Sequence, residues 1–302
     1  MRAASAAEVD DGAGPQRKLV GFAVDSLVVQ PASDPVEVPR TPFQRWNDAS
    51  RHGASALFYR RAAGGFLLRF PRIADFTISV DGEVVCTPAP ASGEAWQGVF
   101  EQQVAPLLLS LRGEQVFHGG AVALGARAVA FLAPSGRGKS TLTTAFARRG
   151  HAFLSDDCLH LDFTGAGVQA HPHADHVRLR EDSAAALGEG EARYVTGSPK
   201  PRLTAGERLP HCNRPMPLSR VYLLGEGDTD APVISAVPPS RQLIGWTANA
   251  FVLDLKNPEV LKRNLAAAAR LVREVPMRRL DYPRRYDVLD DVVDAVLADV
   301  TG

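Results

Sequence analysis

Apolar residues recur along this 302-residue chain with two different periods, and the switches between them mark its organisation. From residue 17 to about 90 the period is that of strands. KLVGFAVDSLVVQ, GGFLLRF and DFTISVDGEVVC alternate or run apolar, with Asp81-Gly82 as a hairpin turn. AWQGVFEQQVAPLLLSLRG then changes to helical spacing ending at Gly113, with Pro106 expected to kink that helix or start a new one. EQVFHGGAVALGARAVAFLAP predicts a β-hairpin turning at Leu124-Gly125-Ala126-Arg127. TLTTAFARR carries Leu142 and Phe146 four apart and stops at Gly150, which predicts a helix, and HAFLS predicts a returning strand. Residues 164–217 hold many Pro, Gly and His and read as loop-rich. SRVYLLG (219–225) predicts a buried strand, and RQLIGWTANAFVLDL and EVLKRNLAAAARLVREV predict helices. The second of these is expected to bury Leu261, Leu265, Ala268, Leu271 and Val272 before yielding to Pro276. MRRLDY reads as a strand and YDVLDDVVDAVLADV as a terminal amphipathic helix. Trp246 and the alanine-rich stretch 264–270 read as core, and no internal repeat is visible.

The pattern therefore divides into a tail over 1–16 expected to be disordered, a β-rich region over 17–100, and an alternating helix–strand region over 101–302, with a soft boundary near 95–113. The fold class is α/β, or α+β for the whole chain. Lys plus Arg and Asp plus Glu both number 34, so no strong field favours nucleic acid or an anionic membrane. No apolar run reaches the roughly 18 residues of a membrane helix. MRAASAAEVDDGAGPQ lacks an apolar core and is not a secretory signal. Cys86, Cys158 and Cys212 are widely spaced, which suits a reducing cytoplasm, and Cys158 reads as a small buried filler.

One stretch changes the picture. APSGRGKS, Ala133 to Ser140, joins the apolar strand RAVAFLA to the helix, the context that makes GxxxxGK[ST] credible as a phosphate loop. Gly136 and Gly138 let backbone N–H groups curl around phosphate oxygens, and the helix N-terminus adds partial positive charge. Lys139 is placed to reach the outer phosphates and the Ser140 hydroxyl to ligate Mg²⁺. Ser135, Gly136, Arg137, Gly138, Lys139, Ser140 and Thr141 are the candidate nucleotide-binding residues. Ala133 stands where the motif has its first glycine, which requires a negative φ there.

Asp156 and Asp157 follow Lys139 by 17 and 18 residues. A helix over 139–149 carries the chain about 16 Å from the phosphates at ~1.5 Å per residue. HAFLS returns as a parallel strand, so the aspartates arrive at the sheet edge where ligands bind. One carboxylate could hold Mg²⁺, assigned to Asp157 beside Ser140. The other could accept a proton from an attacking hydroxyl, a role for which Asp156 is favoured. Adjacent strand residues face opposite ways, so both serve only if the chain is already leaving the strand.

His118 lies 21 residues before Lys139, and the hairpin brings it alongside the end of the strand entering the loop. His-Gly, then SGxGKS, then RGH-x-x-x-x-DD resembles the catalytic domain of HPr kinase/phosphorylase. More narrowly it resembles the HPr-kinase-related proteins of peptide modification systems, including lasso-peptide kinases. The specific resemblance covers about residues 105–185. It implies an HPr kinase/PEP-carboxykinase-like P-loop core over 101–302, with catalytic Asp156, Asp157, His118 and Lys139. It also implies ATP and Mg²⁺, a peptide or small-protein substrate with a Ser or Thr acceptor, and a homo-oligomer. The glycine-rich signature that HPr kinase carries after its aspartates is not found, nor is its N-terminal domain.

HPHADH offers His171, His173 and His176, whose spacing could suit Zn²⁺ or Ni²⁺ but reads more simply as a polar loop. Arg178, Arg180, Lys200, Arg202, Arg278, Arg279, Arg284 and Arg285 are candidate partners for triphosphate oxygens or an acidic peptide. Three functions stay open: a cytoplasmic Ser/Thr kinase of a peptide or small protein, a small-molecule P-loop kinase, and a non-kinase ATP-binding switch. GKSTL is shared with transporter ATPases, but no LSGGQ-like signature accompanies it.

Overall fold

The computed structural model describes residues 27–38, 41–47, 54–165, 167–187 and 202–301. The tail expected over 1–16, and Lys200, lie outside the described residues.

Six short strands form a first sheet: β1 (Leu27–Val29), β2 (Gln44–Asn47), β3 (Ala54–Arg60), β4 (Phe66–Phe70), β5 (Ala74–Ile78) and β6 (Val84–Pro88). Their order is β1-β6-β5-β4-β3-β2, antiparallel except where β1 runs parallel to β6. Alternation buries Phe58, Leu68, Phe76 and Cys86 on one face, and Phe100, Val104, Leu107 and Leu108 of the following helix cover it.

That helix changes character just before Pro106. It runs through α1 (Ala95–Val99), a π-helical turn (Phe100–Val104) and α2 (Ala105–Leu111) without leaving helical dihedrals, and Pro106 stands in the first turn of α2, as one of the two expectations had it. A proline ring collides with the carbonyl four residues back. The widened turn that contains this carbonyl lets the helix pass through.

The second sheet is built from β7 (Gln115–Phe117), β8 (Gly119–Leu124), β9 (Arg127–Leu132), β10 (Phe153–Ser155), β11 (Leu159–Thr164) and β12 (Gly167–His171). A separate ribbon pairs β13 (His176–Arg178) with β14 (Arg202–Thr204). β15 (Met216–Leu224), β16 (Val233–Ala236) and β17 (Met277–Asp281) complete the second sheet, with order β10-β8-β9-β15-β12-β11-β7 and β17 joining the later half of β15. The loop-rich reading of 164–217 is thus corrected: β12, β13, β14, α4 (Glu181–Ala186) and the start of β15 lie there. His171 closes β12, His176 opens β13, and His173 between them is buried.

Helices cover both faces of this sheet. α3 (Lys139–Arg148) and α7 (Leu289–Thr301) pack Leu142, Phe146, Val292 and Val296 against Val129 and Phe131. α5 (Pro239–Asn249) and α6 (Pro258–Glu274) pack Trp246, Ala268 and Leu271 against Ala128, Ala130 and Leu132. β9 is therefore buried on both sides, which is why its sequence reads as a continuous apolar run. Two expectations fail here. The helix expected over 241–255 stops at Asn249, because the next residues extend along β7: Ala250 bridges Phe117, and the Phe251 N–H donates to the Val116 carbonyl. Leu261 and Leu265 are 42% and 51% exposed, since α6 docks through Ala267, Ala268 and Leu271 on its later turns.

The crossover from β9 through α3 to β10 is present, with β8 lying between the two parallel strands. α3 sits close on β8, where a Cβ on Gly120 would come 2.9 Å from the Thr143 hydroxyl. β15 and β17 also run parallel to β9. The carboxyl ends of β9, β10, β15 and β17 thus share one edge. Among the described residues no helix is long and apolar enough to cross a membrane.

Candidate functional site

The segment after β9 turns on Gly136 and Gly138, with φ of +83° and +85°, conformations that a Cβ disfavours. Ala133, by contrast, does not have a positive φ, as the motif's departure there requires. Gly138 is the N-cap of α3, and its carbonyl accepts the first helical bond from the Leu142 N–H. A glycine cap offers no side-chain acceptor, which leaves first-turn amides for an anion. At the other end α3 closes on Gly150 (φ +84°), with its N–H donating to Ala147 and that of His151 to Phe146.

The loop edges a cavity of about 280 Å³, and every residue from Ser135 to Thr141 lines it. Asp157 lines it too. Asp156 and His118 do not: Asp156 is buried at the floor and borders a narrow cleft of about 10 Å³ with Glu101, His173 and Arg178. The two carboxylates diverge because the strand ends at Ser155 and Asp157 takes a left-handed φ of +64°.

His118 ties these parts together. Its Nδ1 lies 3.1 Å from the Asp157 carbonyl oxygen, so Nδ1 carries the proton and donates. Its Nε2, left as an acceptor, receives Lys139 Nζ at 3.0 Å. Lys139 also donates to the carbonyls of Ala133 at 2.7 Å and Pro134 at 3.2 Å, and it is only 4% exposed. One imidazole therefore connects the loop lysine to the backbone of the strained aspartate. Its place comes from the hairpin, in which Gly119 faces Leu132 at the end of β9.

Four of the candidate cations converge on the cavity: Arg178, Arg180, Arg284 and Arg285. Arg180 Nη2 stands 3.6 Å from where a Cβ on Gly136 would be, and Arg284 Nη1 stands 3.9 Å from that position on Gly138. The loop is flanked from both sides. Arg202, Arg278 and Arg279 do not line it; they pair with Glu101, Asp299 and Asp281. The reading of the sequence missed Glu226, which pairs with Arg137 on the rim, and Ser183, Tyr282 and Tyr286. Thr141 donates to Ser183 at 3.3 Å, and Ser183 meets the Tyr286 hydroxyl at 3.2 Å, which joins the start of α3 to the segment after β17. The available signal was Gly225-Glu226-Gly227 after an apolar strand, the same small-residue punctuation that marks the loop after β9.

Burial governs the electrostatics of the floor. It lowers the pKa of Arg178 despite the nearby Asp157 and Asp156. It raises that of Glu101, against the pull of Arg202 and Arg178. It also pushes the Cys158 thiol up, so this cysteine is a buried filler rather than a nucleophile. Among the described residues no group of three or more His, Cys, Asp or Glu is placed to hold a metal ion, and the HPHADH histidines do not converge. The Ser140 hydroxyl and the Asp157 carboxylate do line one cavity beside glycines whose missing Cβ leaves room for phosphates. Such a sparse all-oxygen set fits Mg²⁺, which keeps waters and takes phosphate oxygens as further ligands.

No protein-family model and no curated protein matches the chain. Among solved structures the chain is similar to the Hpr(Ser) kinase/phosphatase from Coxiella burnetii, with a TM-score of 0.32 and 10% sequence identity over 62% of this chain and 99% of that one.

Proposed function

We propose that this chain is a P-loop phosphotransferase that uses ATP with Mg²⁺ to phosphorylate a Ser or Thr hydroxyl of a peptide or small protein. The observation that carries the reading is the convergence of Lys139, Ser140, Asp157 and five arginines on one cavity at the N-terminus of α3. Phosphoryl transfer asks little covalent chemistry of a protein and much positioning and charge stabilisation, which is what these groups supply.

The loop amides and Lys139 hold the outer phosphates of the donor. To reach them Lys139 exchanges a carbonyl of Ala133 or Pro134 for a phosphate oxygen, while His118 keeps it aligned. Arg180 and Arg284 take up charge from either side of the loop. Ser140 and Asp157 would hold Mg²⁺, which when bound would neutralise charge on the phosphates. One of the paired aspartates accepts the proton of the acceptor hydroxyl. Asp156 is the favoured base, its carboxylate fixed by the Arg178 N–H at 3.0 Å.

The test is transfer from γ-labelled ATP–Mg²⁺ to short Ser- and Thr-containing peptides, with mass spectrometry of the products. A peptide that gains one phosphate, lost in Asp156→Asn, is the expected result. Tight nucleotide binding with label passing only to small alcohols would replace the peptide acceptor by a small molecule. Hydrolysis without any transfer would replace the kinase by a nucleotide-driven switch.

A further inference from the structure

The cavity at the start of α3 changes character along its length. Lys139 and Thr141 stand two apart on that helix, so their side chains leave it in different directions. Lys139 turns to His118, which ties it to the backbone of Asp157. Thr141 turns instead to α4, where its hydroxyl donates to that of Ser183 at 3.3 Å. One stretch of chain, from the end of β13 into α4, follows the wall between these two places. Arg178 lies by Asp157, its Nη1 3.9 Å from that carboxylate, Arg180 reaches Gly136, and Ser183 meets Thr141. Arg178, Arg180 and Ser183 all line the cavity.

At the Asp157 end the lining is charged. At the Thr141 end it is aromatic and apolar. The Ser183 hydroxyl meets the Tyr286 hydroxyl at 3.2 Å, so three hydroxyls in a row hold the Tyr286 ring against the first turn of α3. The Leu289 N–H donates to the Tyr286 carbonyl at 3.2 Å, which brings Leu289 to the same end. Leu289 is buried, whereas Tyr286 lines the cavity and stays 39% exposed. A phosphate gains nothing from either side chain, because the face of an aromatic ring is itself negative.

We infer that the Thr141 end is a subsite for the base of a nucleoside polyphosphate, stacked on Tyr286 and backed by Leu289. The inference rests on the phosphotransferase reading of the site, in which Lys139 takes the outer phosphates. The donor then runs from Asp157 toward Thr141, and whatever its innermost phosphate carries arrives at Tyr286. A nucleobase is flat, and an aromatic ring stacks on the face of any base. Inorganic pyrophosphate or tripolyphosphate fills the charged end alone and leaves Tyr286 and Leu289 idle. The subsite thus selects the class of donor, a nucleoside triphosphate over an inorganic polyphosphate.

Titration calorimetry with Mg²⁺ and either ATP or inorganic tripolyphosphate tests this. The wild type binds ATP more tightly than tripolyphosphate by about tenfold or more. Tyr286→Ala weakens ATP about tenfold and leaves tripolyphosphate within about twofold, while Tyr286→Phe, which keeps the ring, retains most of the preference for ATP. If Tyr286→Ala melts below the assay temperature, Tyr286→Leu replaces it, with the same loss expected because leucine offers no flat face. Equal affinity of the wild type for the two ligands, unchanged ATP affinity in Tyr286→Ala, or equal weakening of both ligands in that variant overturns the inference. The readout needs no acceptor. A Tyr286-dependent preference for ATP with no transfer to any acceptor retires the kinase reading and leaves the subsite standing. Transfer from tripolyphosphate as fast as from ATP overturns the subsite and leaves the phosphotransferase. Binding of neither ligand overturns both.

Discussion

Two loops follow neighbouring parallel strands at the same sheet edge, and they put the same grammar to opposite uses. The loop after β9 turns on Gly136 and Gly138, and the loop after β15 turns on Gly227, with φ of +95°. Both follow buried apolar strands. The first opens into the ten-residue helix α3, so its amides and the helix N-terminus face a cavity. The second opens into no helix and closes on the protein's own charges. The Gly227 N–H donates to Asp281 Oδ1 at 2.7 Å, and Arg284 donates to the Gly225 carbonyl. A Cβ on Gly225 would lie 2.3 Å from the Asp281 carboxylate, so that carboxylate occupies the place a bound anion would take. A glycine turn supplies donors; what stands in front of them decides whether they serve a ligand or the fold. Here the second loop serves the first, because the arginine it holds is Arg284, stacked 4.2 Å over Tyr282 and aimed at Gly138.

The strongest break of this comparison is at the first loop. Lys139→Ala and Asp156→Asn each lower transfer by about a thousandfold or more, and Asp156→Asn retains nucleotide binding in titration calorimetry. Full activity in Lys139→Ala would remove the assignment of the site. Exchanging glycine for alanine in each loop comes next. Gly138→Ala strains a left-handed φ and crowds the Tyr282 hydroxyl at 3.0 Å, so nucleotide binding is lost. Gly227→Ala pushes on Arg284 Cγ at 2.8 Å and weakens nucleotide binding only about tenfold, through that arginine. Equal effects in the two variants would mean that the second loop binds the donor itself.

Arg284→Ala isolates the link between the loops. Nucleotide KM rises about tenfold with kcat within about threefold, because the guanidinium contributes to binding of donor and transition state alike. A fall in kcat alone would instead make Arg284 a transition-state group.

Acid lability sharpens the contrast between rim and floor. His173 is buried at the floor, and desolvation first, then the neighbouring His176, lower its pKa to about 3, against the opposing pull of Asp157. The unfolded chain takes up this proton near pH 6.5 and the folded chain does not until much lower pH. The histidine's contribution is therefore fully present above pH 6.5 and lost as pH falls toward 3. Melting temperature measured from pH 7.5 to 4 declines in the wild type, and the decline is shallower in His173→Gln. An unchanged slope would assign acid lability elsewhere.

Residues 127–157 were legible because their information is local. A strand, a glycine loop, a helix with Leu142 and Phe146 four apart, and a return of fixed length dictate where Asp156 and Asp157 arrive. The hairpin at Gly125-Ala126 likewise placed His118 near the loop, as the pairing of Gly119 with Leu132 bears out. Other errors arose where a long-range partner outweighed the local pattern. The helix over 239–249 stops where Ala250 finds β7, and α6 buries alanines while Leu261 and Leu265 stay outside.

The sequence by itself determined the glycine turn after β9, its helix and the arrival of two carboxylates at one edge, since each follows from spacing within some forty residues. Only the tertiary structure decided which carboxylate faces the cavity and which of the candidate cations among the described residues surround it. It also decided that Glu101, from the helix covering the first sheet, pairs with Arg202 and borders the narrow cleft that Arg178 also lines. Those outcomes depend on the positive φ of Asp157 and on the pairing of β13 with β14. They depend equally on the arrival of β15 and β17 beside β9. Electrostatic partners act across space, and the distance between two charges is not written in their separation along the chain.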